Sequence, residues 1–139
     1  TERARRANEI CTEYGKEHCI FISVHANAAG NGTEWKNARG WSVWTTKGNT
    51  KSDSIAAIFF EEAEKILPQC GMTLRKDTSD GDPDYEENFT VIYKTVCPAI
   101  LTENLFMDNK TDVEFLMSDE GRNKIAQIHV NAIKRLCFD

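Results

Sequence analysis

One short apolar run sets the fold class that this chain can adopt. Residues 19–24 read Cys-Ile-Phe-Ile-Ser-Val, which is apolar on both faces of an extended chain and rich in β-branched side chains. A half-exposed strand alternates apolar and polar residues, whereas a continuous apolar run is typical of a strand covered on both sides. The run therefore predicts a central strand of a sheet flanked by helices, with His25 at its carboxyl end.

Length and composition agree with one globular domain. The chain has 139 residues and a mass of 15.8 kDa, with 40% hydrophobic and 28% charged residues. This size and composition are typical of a single globular domain. Its apolar stretches are too short to cross a bilayer, so we expect no membrane partner. The formal net charge of −5 has the wrong sign for neutralising phosphates, which argues against nucleic acid as a partner.

The five cysteines lack the spacing of a disulfide framework or of a paired zinc motif. We expect most of them to be buried free thiols, as in a protein made in a reducing cytoplasm, although later release is compatible with this. The first residues show neither an initiator Met nor a signal peptide, so we expect the natural start to lie upstream. The cysteines are Cys11, Cys19, Cys70, Cys97 and Cys137.

Periodicity predicts helices and strands that alternate along the chain. An amphipathic helix that packs on a sheet is expected up to Gly15, and Ser52 is expected to cap a helix that Pro68 ends. The pattern predicts an α/β fold with a mixed, mostly parallel sheet and helices on both faces. The other predicted elements are strands at 40–46, 90–95 and 99–102, a loop at 71–89, a helix at 112–116, and a last helix after Ser118 with a stripe of Ile125, Ile128, Ala132 and Leu136.

A His and a Glu each follow an apolar run at the predicted carboxyl end of a strand. Ligands of open α/β sheets bind outside these ends, so we expect His25 and Glu103 to face one cleft. A neutral imidazole is a common zinc ligand, and a carboxyl on a dry strand can have a pKa raised toward neutrality. The pair indicates metal-assisted hydrolysis. From spacing alone, a structural His25 and a Glu103 paired with an Arg or Lys remain the simpler explanation.

Two sequence blocks resemble the zinc-dependent N-acetylmuramoyl-L-alanine amidases of the type 3 family. Residues 22–29 read Ile-Ser-Val-His-Ala-Asn-Ala-Ala, and residues 98–109 read Pro-Ala-Ile-Leu-Thr-Glu-Asn-Leu-Phe-Met-Asp-Asn. Arg3 and Ala7-Asn8 resemble the helix before the first block. Enzymes of this family cleave the amide between N-acetylmuramic acid and the first L-alanine of the peptidoglycan stem peptide. The resemblance implies that residues 1–139 are the carboxyl-terminal part of a single amidase domain that acts on peptidoglycan in the cell wall, in the periplasm or outside the cell.

The resemblance also implies roles for two residues. His25 would be the last protein ligand of the zinc ion, and Glu103 would be the catalytic carboxylate. Catalytic zinc needs three protein ligands, and the family's other two, a His and a Glu, lie upstream of the point where this sequence starts. We therefore expect the 139 residues alone to be inactive. Asn27, in the loop after His25, is a candidate substrate-binding residue, although an Asn there fits turn chemistry equally well.

The sequence departs from the family pattern at two places. Residues 103–106 read Glu-Asn-Leu-Phe where the family has Glu-Thr-Gly-Phe, so we expect Leu105 to alter the shape of the pocket. The spacer between the first helix and the first strand is longer than usual and holds three residues without a family counterpart. His18 is a weak candidate for a second ligand, because seven residues separate it from His25. The three spacer residues are Cys11, His18 and Cys19.

Two other functions remain open from the sequence. A metal-free wall-binding or regulatory module of the same fold would explain the missing ligands. A glycosidase would pair Glu103 with an Asp of the acidic stretch 77–84, although no motif supports that pairing. Pro83 and the lack of a closing Glu argue against an EF-hand calcium site there, which leaves a solvated acidic loop. Of the three tryptophans, Trp41 and Trp44 are expected in the core rather than in a substrate groove.

Overall fold

The computed structural model of the protein describes residues 1–138 and contains one four-stranded sheet. The strands lie in the order β1-β4-β2-β3. Strand β1 pairs with β4 and β2 with β3 in parallel, whereas β2 and β4 are antiparallel. The predicted mixed, mostly parallel sheet is therefore confirmed. The strands are β1 (Phe21–Asn27), β2 (Ser42–Thr45), β3 (Tyr85–Glu86) and β4 (Ala99–Phe106).

Helices cover both faces of this sheet, as predicted. On one face, α2 and α5 contribute Phe59 and Ile128 to the main core, which includes Ile100 of β4. On the other face, Ile92 of α3 forms a smaller cluster with Leu101. Among the described residues, none of the helices is both long and apolar enough to cross a membrane. The helices are α1 (Glu2–Tyr14), α2 (Lys51–Ile66), α3 (Thr90–Tyr93), α4 (Lys110–Met117) and α5 (Asp119–Phe138), and short 3₁₀ turns span Lys16–His18 and Pro68–Cys70.

The central strand of the sheet is β4 rather than β1. Strand β4 pairs on both sides and is buried along its length except at Glu103. Within residues 1–138, β1 pairs with β4 alone, and Val24 is 62% exposed. The prediction of a covered central strand at 19–24 was therefore wrong for the described residues. Both strands also continue past their predicted ends, so His25 and Glu103 lie inside them.

The segment predicted as a strand at 90–95 instead forms α3, a single helical turn. Its apolar residues do not alternate between two buried faces, because Ile92 is buried while Tyr93 is 62% exposed. One buried anchor per turn suits a short helix packed on the sheet better than a strand within it.

The N-terminal cap of helix α2 is Thr50 rather than the predicted Ser52. The Thr50 hydroxyl accepts from the Ser52 amide at 3.1 Å, and the Asp53 carboxylate accepts from the Thr50 amide at 2.7 Å. This reciprocal pair is a capping box. The Ser52 hydroxyl instead accepts from the amide of Ala99 at 3.0 Å, which fastens the start of β4 to the helix.

The first helix ends at Gly15 as predicted, but it buries little of its apolar face. Ala4 and Cys11 are buried, whereas Ile10 and Tyr14 are exposed. Within residues 1–138, the apolar face of the predicted amphipathic helix is therefore only partly buried. The last helix agrees with its prediction: Ser118 accepts from the amide at its first turn, and its stripe faces the core through Ile125, Ile128, Ala132 and the half-buried Leu136.

The acidic segment is a loop with one buried anchor. Asp84 is 1% exposed, and its Oδ2 accepts from the Thr45 hydroxyl at 2.6 Å. Its Oδ1 is buried without a hydrogen-bond donor among the described residues. Burial, followed by the neighbouring Asp82, raises the pKa of Asp84 to about 7. The prediction of a fully solvated loop was therefore wrong at Asp84.

Replacing Asp84 with Asn should raise the melting temperature more at about pH 8 than at about pH 5. The pKa of Asp84 is higher in the folded state than the ordinary value of 3.8, so the folded state loses stability as the pH rises from that value through about 7. An Asn stays neutral and keeps the acceptor for Thr45. Thermal unfolding at both pH values measures the effect, and Asp80→Asn in the exposed part of the loop is the control. An equal shift at both pH values would contradict the assignment.

Candidate active site

His25 and Glu103 lie side by side on one face of the sheet. The parallel pairing of β1 with β4 places the two residues in register, and the antiparallel β2 places Ser42 opposite Glu103 on its other side. Neighbouring strands are about 4.8 Å apart, and side chains at paired positions point to the same face. The structure thus brings together the imidazole and the carboxyl that the sequence singled out.

The Glu103 carboxyl is partly buried and has no compensating partner. Its Oε2 is buried and has no hydrogen-bond partner among the described residues. The ion pairs within residues 1–138 do not include it, so the described residues do not support the alternative of a Glu103 neutralised by Arg or Lys. Burial raises its pKa to about 7. A carboxyl with this pKa can both accept and return a proton at neutral pH.

The His25 imidazole is oriented by a hydroxyl on its own strand. Its Nε2 lies 2.9 Å from the hydroxyl oxygen of Ser23, two residues earlier on the same face. On the opposite face, the amide of Asn104 donates to the His25 carbonyl at 2.9 Å and accepts from the Trp41 indole at 2.7 Å. Both the ring and the backbone of His25 are therefore held. A histidine held through one nitrogen can bind a metal through the other.

Both strands become irregular next to this pair. The register of β1 shifts between His25 and Asn27, so that Asn27 faces Phe106. Leu105 has a φ of 71°, a left-handed conformation that costs about 1 kcal/mol for residues other than glycine. Its side chain is fully buried in the main core. The expectation that Leu105 alters the pocket was therefore wrong, because its side chain packs in the core instead of the cleft.

Asn27 lies at the end of β1, where its side chain makes a local contact. Its Oδ1 accepts from the amide of Ala28 at 2.9 Å, and its carbonyl accepts from the amide of Met107 at 2.8 Å. The contact with the Ala28 amide supports a role of the Asn27 side chain in the turn. A role for Asn27 in substrate binding stays a prediction.

The other two histidines lie away from this site. His18 is in the 3₁₀ turn before β1, with a side chain 73% exposed, and the four residue steps from Phe21 to His25 alone span about 13 Å. His129 of α5 is half-buried on the opposite face, where its Nε2 lies 2.9 Å from the Thr102 hydroxyl. Burial lowers the pKa of His129. The weak candidacy of His18 as a second ligand is therefore not supported by its position.

Three residues of the site were not singled out from the sequence. Ser23 lies two residues before His25, and strand alternation alone would have placed it on the same face. Ser42 and Asn104 carry no such local signal, because their positions depend on the pairing of β4 with strands distant in sequence. Their contribution could be seen only after the sheet order was known.

Asp84, the buried carboxyl of the acidic loop, does not pair with Glu103. Asp84 binds the hydroxyl of Thr45. Thr45 follows Trp44, and Trp44 shares the face of Glu103, so alternation turns Thr45 to the opposite face. The glycosidase pairing with this loop is therefore wrong for Asp84. Within residues 1–138, no group of three His, Cys, Asp or Glu side chains is placed to hold a metal ion.

Comparisons with known proteins identify the family that this chain matches. The family described as N-acetylmuramoyl-L-alanine amidase matches residues 1–135. The N-acetylmuramoyl-L-alanine amidase CwlM of Bacillus licheniformis is 32% identical over 135 residues, which cover 97% of this chain and 45% of that protein. The endolysin of Bacillus phage SPP1 is 28% identical over 135 residues, covering 97% of this chain and 44% of the endolysin. The chain thus spans less than half the length of these two relatives.

Solved structures share the fold. An N-acetylmuramoyl-L-alanine amidase from Clostridium difficile 630 superposes with a TM-score of 0.77 at 20% identity, covering 99% of this chain and 66% of that one. The amidase AmiC2 of Nostoc punctiforme gives a TM-score of 0.69 at 22% identity, covering 93% of this chain and 63% of that one. At these identities the likeness establishes the fold alone.

Leu105 offers a direct test of the strain beside the site. Leu105→Ala should destabilise the protein by about 2–5 kcal/mol through the lost core packing. Leu105→Gly removes one carbon more but relieves the left-handed strain, so it should be no more destabilising than the Ala variant. Urea unfolding of both variants measures the order. At a control position with helical φ, Ala126, the change to Gly should instead cost about 1 kcal/mol. A Gly variant clearly less stable than Leu105→Ala would contradict the strain.

Proposed function

Because the chain belongs to the N-acetylmuramoyl-L-alanine amidase family, we propose that it forms part of an enzyme that hydrolyses the amide between N-acetylmuramic acid and L-alanine in peptidoglycan. The observation that carries the proposal is the unpaired, partly buried carboxyl of Glu103 beside His25 on adjacent parallel strands. An amide is a poor electrophile with a poor leaving group, so its hydrolysis needs both proton removal and proton return.

Zinc is part of this proposal. The donor set fits one position of a catalytic zinc site, because His25 is an imidazole already oriented by a second group. Catalytic zinc needs three protein ligands, and residues 1–138 contain no such group of three. The remaining ligands would therefore come from outside these residues. When bound, zinc would polarise the scissile carbonyl and make water a better nucleophile at neutral pH.

The residues of this chain would manage the protons. Glu103 would accept a proton from the attacking water and return it to the nitrogen of the leaving L-alanine. Its pKa of about 7 suits both steps, since neither protonation state is strongly favoured at neutral pH. Ser23 would keep the His25 ring in one orientation, and Asn104 would keep β1 and β4 aligned so that the imidazole and the carboxyl stay adjacent.

The relatives of this chain support action on the cell wall. They include an endolysin, an N-acetylmuramoyl-L-alanine amidase and a cell wall amidase, so we propose that the whole protein acts at the wall or outside the cell. The metal-free wall-binding or regulatory module is the alternative. It predicts binding to cell walls without turnover, which separates the two in the experiments below.

Replacing Glu103 with Gln should abolish catalysis without removing the metal. The Gln side chain is nearly isosteric but cannot exchange a proton, so the rate should fall by a factor of about 10²–10⁴. The whole polypeptide, as it is produced naturally, is assayed for the release of L-alanine amino groups from purified peptidoglycan, and its zinc content is measured. Glu114→Gln on the exposed surface of α4 is the matched control. Undiminished turnover would refute the role of Glu103, and wall binding without turnover in the wild type would favour the non-catalytic module.

Replacing His25 with Ala should lower the zinc content of the same polypeptide. The loss of one of three protein ligands weakens the binding of a catalytic metal. Elemental analysis after dialysis against a mild chelator gives the stoichiometry. His18→Ala, at an exposed position, should retain the wild-type zinc content. Full zinc occupancy in the His25 variant would exclude the ligand role and leave His25 as a structural residue.

A further inference from the structure

Two cysteines meet at the end of the sheet opposite to the candidate active site. Phe21 and Ala99 are register partners in β1 and β4, and the Phe21 amide donates to the carbonyl of Pro98 at 2.9 Å. Cys19 and Cys97 each precede one of these partners by two residues. The pairing therefore brings the two segments that carry Cys19 and Cys97 side by side at this end of the sheet.

Helix α1 brings a third cysteine to this point. Asn8 clamps the helix onto the segment before Cys97, since its amide donates to the Lys94 carbonyl and accepts from the Val96 amide, both at 2.9 Å. Cys11 lies one helical turn after Asn8 and is 5% exposed. Its thiol is near enough to those of Cys19 and Cys97 to contribute to the raised pKa of both, and we call these three residues the thiol cluster.

The three thiols differ in their access to solvent. Cys11 and Cys97 are buried, whereas Cys19 is half-buried. All three are unpaired in the structure. Burial first, and the adjoining Cys11 thiol second, raise the pKa of Cys97 to about 12 and also raise that of Cys19. Cys19 is thus the thiol of the cluster that a reagent in solution reaches first. Cys11 is the neighbouring thiol that can then attack the Cys19 sulfur.

We propose that the thiol cluster is a thiol–disulfide exchange site, at which a small disulfide of the glutathione class converts Cys11 and Cys19 into an intramolecular disulfide. In the first step, the Cys19 thiolate attacks one sulfur of the reagent, and one thiol leaves with a proton from solvent. In the second step, the Cys11 thiolate attacks the Cys19 sulfur, and the second thiol leaves. Two protein thiols are oxidised by two electrons, and one small disulfide is reduced to two thiols.

The disulfide would fasten the end of α1 to the start of β1. The chain between the two cysteines contains Gly15, whose φ of 86° makes the turn out of the helix, so the linked ends are already near each other. The bond would form slowly at neutral pH, because the raised pKa of Cys19 leaves little of its thiolate. It would be absent in a reducing compartment and would form after transfer to an oxidising one.

The test is oxidation of the native protein by oxidised glutathione at mildly alkaline pH, followed by acid quenching and mass spectrometry. We expect two of the five thiols to be lost without retained glutathione, and peptide mapping should link Cys11 to Cys19. The melting temperature should rise by about 5 °C and return on addition of dithiothreitol. A Cys70→Ser/Cys137→Ser variant should behave in the same way, because neither residue belongs to the cluster.

The variant Cys11→Ser distinguishes thiol–disulfide exchange within the cluster from the simple reaction of an exposed Cys19 thiol. With the second thiol absent, Cys19 should retain one glutathionyl group, and no intramolecular link should form. Three results would overturn the proposal: no reaction of the native wild-type protein, a stable glutathione adduct on wild-type Cys19, or a link that joins Cys97 to either of the other two. These results do not depend on amidase activity, so the thiol site and the proposed function can fail separately.

Discussion

The parallel pairing of β1 with β4 is the contact on which the site depends. It sets His25 beside Glu103, and a slip of one residue would turn Glu103 toward the core under α2 and α5. Asn104 fixes this register from the opposite face. Its amide donates to the His25 carbonyl and to the Thr102 hydroxyl, and its oxygen accepts from the Trp41 indole. These hydrogen bonds link β4 to β1 and to the residue before β2. A shift in the register of the strands would break them and leave the buried amide of Asn104 without partners.

The same pairing creates a site that costs stability. A partly buried carboxyl without a donor disfavours its own charged form, which is the origin of the raised pKa of Glu103. Leu105 adds left-handed strain two residues later, offset by its burial in the main core. An unpaired carboxyl and backbone strain two residues apart are typical of functional sites, because a structural strand would gain from removing both.

The sequence was sufficient for the fold class and for the expectation that His25 and Glu103 lie together, while their roles stay predictions, and the reasons are local. Helical periodicity located α2 and α5, and the two apolar runs located β1 and β4 together with the polar residues that follow them. Periodicity cannot distinguish an edge strand from a central one, since an apolar residue such as Val24 has the same pattern whether or not a neighbour covers it. The order of strands was therefore not predictable. Nor was the cap of α2, because Thr50 and Ser52 are both good caps and only the contact of Ser52 with Ala99 decides between them.

The left-handed backbone at Leu105 marks the point where sequence patterns mislead most. A glycine is usual in the family at this position, and a leucine there reads as a change in the pocket. The structure shows instead that the backbone keeps the conformation a glycine would adopt, while the side chain fills the core. Side-chain burial worth about 2 kcal/mol exceeds strain of about 1 kcal/mol, so the substitution is compatible with an unchanged strand path. The geometry that presents Glu103 can thus be kept although the residue that usually permits it is absent.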